Sequence, residues 1–518
     1  MGANARFKLD CARSDVIGDF FRRQDVSSTG RFPMKIDQTV ENHDDLLKVI
    51  DNLLSDAGLN RADLKGEVTF AGLDPVRPTV LKVGAGGAAV GAANAIASAL
   101  LYQEKTGQGQ DIHVDLGKAW AIHSKWQDIA VNDCTVNGRS YIAQMSKFGE
   151  HVNCHFLPTL DKRWIMVDAN YPSQLLKQDL IFNSGFTQEQ LAASSIKRTA
   201  DEWEAMGNSA MVPITKVRTP KEFQESEQWP AHISTPIIHI EKVGDSAPKP
   251  LPGGDRPLSG IRSLSMVHVV AGPHCQSLLS GAGADCLNLH PVDWYEQLTF
   301  ILNCFTGVRF AAIDPFKERD DVYKLIKEAD VFVENLRPGL ADREGYSAQQ
   351  LAEFRPGIIQ GSIKLNVPGP YSQMPGFDFN GAALTGLFTE TGTPDQPAPP
   401  NAVSVICDFF AGRMLATGIQ SALLRRAREG GSYKVSVSLA QVCTWLMSLG
   451  LVPKSDLLDI KNMGPDHQWM KPNVQSGKTA YGDTTVIAEQ VEMSLTPSVW
   501  PDPIVSVPGS SYPEWLPR

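Results

Sequence analysis

GIRSLSMVHVVAGPHCQSLLSGAGADCLNL, residues 260–289, decides the fold. GIRSLSMVHVV is an apolar, β-rich run, PHCQSLLSGAG a short helix and glycine turn, and DCLNL a second strand. Working downstream, the helix DDVYKLIKEA (320–329) leads into VFVE (331–334), and SAQQLAEF (347–354) leads into GIIQGSI (357–363). Strands alternating with helices of this length predict an α/β fold with a doubly wound parallel sheet, a Rossmann-like large domain. In such sheets ligands collect at the carboxyl ends of the strands.

Working upstream, SAPKPLPGGDRP (246–257) has the proline and glycine content of a linker. Before it, HFLPTLDKRWIMVDA (155–169) reads as two strands about an Asp161-Lys162 turn, followed by polar helices over 186–228. Residues 44–57 repeat apolar side chains at helical spacing, and Gly58 is placed to stop that helix. One repeat needs no gaps: residues 77–118 align with 400–441, so that IASALLYQEKTGQGQDIHVDL falls on IQSALLRRAREGGSYKVSVSL. The expected organisation is an N-terminal helical segment (1–67) and a partial first unit (68–150) with a degenerate copy of the later helix. A smaller α+β domain (151–245), the linker (246–257), the large domain (258–450) and a return segment (451–518) complete it.

At 518 residues with 42% apolar and 20% charged residues, the composition is that of a globular protein of several domains. A net charge of −10 disfavours nucleic acid and anionic membranes as partners, while leaving room for a phosphate-bearing ligand. The eight cysteines form no CxxC pair, which fits reduced thiols in a cytoplasmic protein. The start lacks an apolar core, Arg6 stands where a myristoylation pattern needs Ser or Thr, and no apolar run approaches a membrane span.

Asp408 opens a helix in VICDFFAGRMLATGIQSALLRRAREGG, which ends on Gly430-Gly431 after Arg425, Arg426 and Arg428. A plain N-cap and an ionised nucleophile both fit that place, because the helix dipole favours a carboxylate there. The first repeat copy has Ala85 at the same register. GAGGAAVG (84–91) lacks the Lys and Ser/Thr of a phosphate loop, and GAGAD (281–285) reads as a helix-to-strand turn. His151, Cys154 and His155 lack a fourth ligand at metal spacing, so no metal is expected. Asp378, in a loop entering a helix, reads as structural with a pocket role open.

RPLSGIRSLSMVHVVAGPHCQSLLSGAGAD resembles the opening strand and helix of the class III CoA transferases, the CaiB/BaiF family. VFVENLRPGLADREGY resembles their second signature, GFDFNGAALTG a third, and MVPITKVRTPKEF their small domain; the first three and the Asp408 helix span about 256–450. The resemblance implies a class III CoA-transferase-like fold, with Asp408 on the family's catalytic aspartate. It implies that this carboxylate attacks an acyl-CoA thioester, and it assigns coenzyme A contacts to His268, Arg309, Asn335 and Arg343. Phe377 stands where the family's racemases carry a histidine, which disfavours racemisation. The chain departs from the pattern at Ser265, His290, Val308-Arg309 and KLNVPGP (364–370), where Lys364 is a substitute cation.

The expected function is transfer of CoA between small organic acids, with coenzyme A or acyl-CoA as substrate and a homodimer as the assembly. Those departures leave two alternatives. One is a CoA-independent lyase, isomerase or cyclase using Asp408 as acid or base. The other is a non-catalytic binding protein, which the missing aspartate of the first copy suggests.

Overall fold

The computed structural model describes residues 34–123, 133–141, 154–185, 187–399 and 405–517. His151 lies outside them. In chain order the elements that matter are α1 (His43–Asp56), β1 (Val68–Ala71), α2 (Val83–Thr106) and β2 (Ile112–Asp115). Then come β3 (Cys154–Pro158), β4 (Trp164–Asp168), β5 (Ile214–Lys216) and β6 (His239–Gly244). The large unit contains β7 (Arg262–Met266), α3 (Ala271–Gly281), β8 (Asp285–His290), β9 (Arg309–Ala312), β10 (Val331–Glu334) and β11 (Ile359–Lys364). It closes with α4 (Asp378–Thr385), α5 (Ile406–Glu429), β12 (Ser432–Ser438) and α6 (Leu439–Ser448), and β13 (Val491–Met493) follows.

The central sheet has seven strands in the order β9-β8-β7-β10-β11-β12-β6. All neighbours are parallel except β12 and β6, so this is the doubly wound sheet the alternation predicts. The chain winds outward from β7 to β9, then returns to start the other half at β10. That reversal opens a crevice between the carboxyl ends of β7 and β10. A smaller antiparallel sheet, β3-β4-β5, carries its own core of Leu157, Ile165, Val167 and Trp203.

The repeat survives in three dimensions. The offset that aligns the two copies carries α2 onto α5 residue for residue, both 24 residues long, and Leu116 onto Leu439. The two helices pack together and exchange hydrogen bonds through Asn94, Gln420 and Ser98. Small residues permit the approach: a Cβ on Gly86 would lie 2.9 Å from the Phe410 ring. Over its most apolar 18 residues the mean hydropathy is 1.4, so α2 is long and apolar enough to cross a bilayer, contrary to the reading that no run approaches such a span. Its most apolar 18 residues are wholly buried, so the apolar surface serves the core.

Both helices also start the same way. Asp74 accepts from the amides of Gly84 (3.1 Å) and Ala85 (2.6 Å), while Asp378 caps Cys407 and Asp408. These four capped residues are register counterparts. Beside Ala85 and Leu116, residues 40–43, Leu46 and Lys82 line a space of only about 30 Å³.

The far end of α5 is fixed by a buried ionic cluster. Asp330 accepts from Arg426 (3.1 Å) and Lys249 (2.5 Å) and from the Arg262 amide (3.2 Å). Lys249 belongs to the proline-rich segment 246–257, which is therefore pinned to the sheet. Near its start α5 crosses α3 at Gly412, where a Cβ would lie 2.4 Å from the Ala271 carbonyl. Gly412→Ala is expected to cost about 1–3 kcal/mol through overpacking, and a urea midpoint unchanged from the parent protein would contradict that contact.

Candidate active site

Asp408 lies in the first turn of α5 on the wall of a cavity of about 430 Å³. Two units build the walls: Tyr171, Lys177, Met211 and Pro213 come from the smaller α+β unit. The loops after β7, β10 and β11 supply His268–Ala271, Asn335–Pro338 and Lys364-Leu365, and the segment before α4 supplies Met374–Phe377. A single chain thus closes the crevice at the switch point of its own sheet.

The loop after β7 is held hard. Asn335 accepts from the His268 amide (3.1 Å) and donates to the His268 carbonyl (2.8 Å). Val269, a β-branched residue, adopts φ of 66°, and its amide donates to Glu296 at 2.8 Å. Tyr171 donates to the same Glu296 (3.0 Å) and sits 3.3 Å from Nδ1 of His268. Strain of this kind persists where surrounding bonds over-determine the backbone.

Three carboxylates gather behind this wall. Asp378 and Asp408 meet at the α5 N-terminus, where the Asp408 amide donates to Asp378 at 2.8 Å. Asp168, at the end of β4, is near enough to raise the energy of an ionised Asp408. Burial, then the charges of Asp378 and Asp168, push Asp408 well above the ordinary carboxylate range. Burial raises Asp378 to about 6 despite its two amide donors, and raises Asp168 to about 7 against the Cys154 thiol beside it. Desolvation therefore outweighs the helix dipole. His268 is pushed down to about 4 by burial and by the cations Lys364 and Arg337, so it is neutral at physiological pH.

This cluster gives folding a defined pH dependence. The folded pKa of Asp168 lies above its unfolded value near 3.8, so its contribution is fullest below that value and is lost as pH rises through about 7. From pH 5 to pH 8 stability is expected to fall by on the order of 2–3 kcal/mol from this group. Asp168→Asn should flatten the fall, and denaturation midpoints at both pH values read it directly. A slope unchanged in the variant would rule out Asp168 as its source.

The sequence-derived residues separate. Asp408, His268 and Asn335 share the cavity wall. Arg309 starts β9, at the amino end of an edge strand and off the cavity wall, paired to Asp285 (2.8 Å) and to the Glu514 carbonyl (3.0 Å). Arg343 is exposed at the end of a short helix and does not line the cavity. The wall cations are instead Arg337, Lys177 and Lys364; Lys364 is held by Glu334 (2.6 Å) and donates to the Leu336 carbonyl. Asp168, Tyr171 and Lys177 escaped sequence reading because they lie more than 200 residues before Asp408, with no motif of their own. Among the described residues no group of three or more His, Cys, Asp or Glu is placed to hold a metal, and the seven described cysteines are free thiols.

The doubly wound parallel sheet gives the fold class, and likeness to known proteins gives the family. The family model described as CoA-transferase family III matches residues 63–238 and 258–488. The chain belongs to that family and has its fold. It is similar to an acyl-CoA transferase of Fusarium pseudograminearum, 31% identical over 240 residues, covering 42% of this chain and 52% of the relative. It is also similar to a formyl-CoA:oxalate CoA-transferase of Streptomyces coelicolor, 32% identical over 197 residues, covering 35% of this chain and 47% of the relative. The chain spans about half the length of these curated relatives. A solved CAIB/BAIF family protein from Brucella suis is 25% identical, with 44% of this chain and 65% of that chain covered and a TM-score of 0.34.

Proposed function

We propose that this protein transfers coenzyme A between carboxylic acids through the carboxylate of Asp408. The observation that carries the reading is the buried aspartate at the start of α5, on the wall of a two-sided cavity. Arg337 and Lys177 on that wall are cations for the ligand's phosphates, and the loop after β7 lines the same cavity as Asp408. His268 and Asn335 fix that loop.

The chemistry balances without a further reactant. An oxygen of Asp408 attacks the thioester carbonyl, giving a mixed anhydride and CoA thiolate. The thiolate attacks the Asp408 carbonyl, forming an aspartyl-CoA thioester and releasing the first acid. The incoming carboxylate attacks that thioester, and the thiolate then takes the new acyl group, restoring Asp408. Splitting the transfer this way replaces one hard step by easier ones. Because Asp408 must be ionised to attack, kcat/KM rises with pH above the usual carboxylate range.

The test is intact-protein mass spectrometry after mixing with acetyl-CoA. An adduct of coenzyme A mass on Asp408, released by hydroxylamine and absent in Asp408→Asn, is the expected result. No adduct, together with no CoA binding by calorimetry at millimolar ligand, would sink the proposal.

A further inference from the structure

The walls around Asp408 also say which acids can stand there. Met374, Phe377, Leu365 and Leu439 face the cavity from the large unit, and Met211 and Pro213 from the smaller one. The positive groups on the wall are either engaged or assigned to the ligand's phosphates. The Lys364 ammonium spends its hydrogens on both Glu334 oxygens (2.9 and 2.6 Å) and the Leu336 carbonyl (2.8 Å). Lys177, half-buried, gives one of its three hydrogens to the Ala210 carbonyl at 3.0 Å, and with the exposed Arg337 it is already assigned to the ligand's phosphates.

The buried neighbours that act electrostatically on Asp408 are themselves carboxyl groups, Asp378 and Asp168. A substrate bearing a second carboxylate would bring that charge among apolar side chains and like charges. A buried charge is tolerated only when paired, and among the described residues the wall's cations are Lys364, held by Glu334, and the two assigned to the ligand's phosphates, Lys177 and Arg337.

We infer that the acid exchanged at Asp408 is an apolar monocarboxylic acid, aliphatic or aromatic, selected by Met374, Phe377 and Leu439 against dicarboxylates. This rests on the transferase reading. The bond changes are those given above, with the apolar chain on the carbonyl carbon that Asp408 and the thiolate exchange.

The experiment measures initial rates with acetyl-CoA as donor and butyrate, hexanoate, benzoate, oxalate and succinate as acceptors. At least one monocarboxylate should exceed both dicarboxylates by 100-fold or more in kcat/KM. Oxalate or succinate within tenfold of the best monocarboxylate would overturn the inference. Met374→Lys should raise the succinate-to-hexanoate ratio at least tenfold, and an unchanged ratio in a folded variant would overturn the role of that wall.

Binding to unreactive Asp408→Asn separates this idea from the transferase reading. In calorimetry hexanoate should bind at least tenfold tighter than succinate. If exchange is absent but that preference holds, the reaction is wrong and the pocket chemistry stands. Equal binding, with or without exchange, overturns the inference.

Discussion

Asp408→Asn is expected to lower CoA exchange by at least about 10⁴-fold, or about 5 kcal/mol of transition-state stabilisation. The amide matches the carboxylate in size but cannot form the anhydride. The fold should survive, because among the described residues no side-chain donor offsets the burial of the Asp408 carboxyl, and its neighbours Asp378 and Asp168 oppose its charge. Above neutral pH the variant should unfold at the same or a higher temperature than the parent protein, since a like charge has been removed from Asp378 and Asp168. Steady-state exchange and thermal unfolding, measured on one preparation, check both halves. Undiminished turnover would remove Asp408 from the mechanism, and a collapsed melting profile would make it a structural cap instead.

The second large effect concerns stability. Asp330→Ala should destabilise the protein by roughly 3–5 kcal/mol, the usual result of stranding buried partners of an ion pair. Asp330 and Arg426 are wholly buried, and Lys249 is two-thirds so. Removing the carboxylate leaves a guanidinium at the end of α5 facing the ammonium from the linker. The Arg262 amide at the head of β7 loses its acceptor as well. Urea unfolding of the variant is the direct measurement, and a shift below about 1 kcal/mol would show that the cluster relaxes or hydrates. Because α5 carries Asp408 at its other end, activity should fall along with stability.

How much of this was legible in the sequence follows from the range of each signal. Strand and helix alternation over 260–363 is a local, periodic pattern, so the order of elements and the parallel sheet could be read directly. The repeat was legible because a gap-free offset leaves α2 and α5 the same length. Asp408 stood out because a helix start is a local event and because its surroundings resemble a family signature. Arg309 and Arg343 were assigned to the ligand by position in that pattern. One faces Asp285 at the amino end of an edge strand, and the other faces solvent. Neither orientation is written in local spacing.

By itself the sequence determined the α/β alternation, the duplicated helix, the family and the aspartate on the register where chemistry is expected. These depend on periodicity and on short motifs, which are set within a few turns of chain. The tertiary structure decided what surrounds that aspartate: Asp168 and Tyr171 from the smaller unit, the engaged Lys364, and the packing that closes the first copy's counterpart around Ala85. Desolvation and pairing depend on groups more than 200 residues apart in sequence, and only the folded chain brings them to one site.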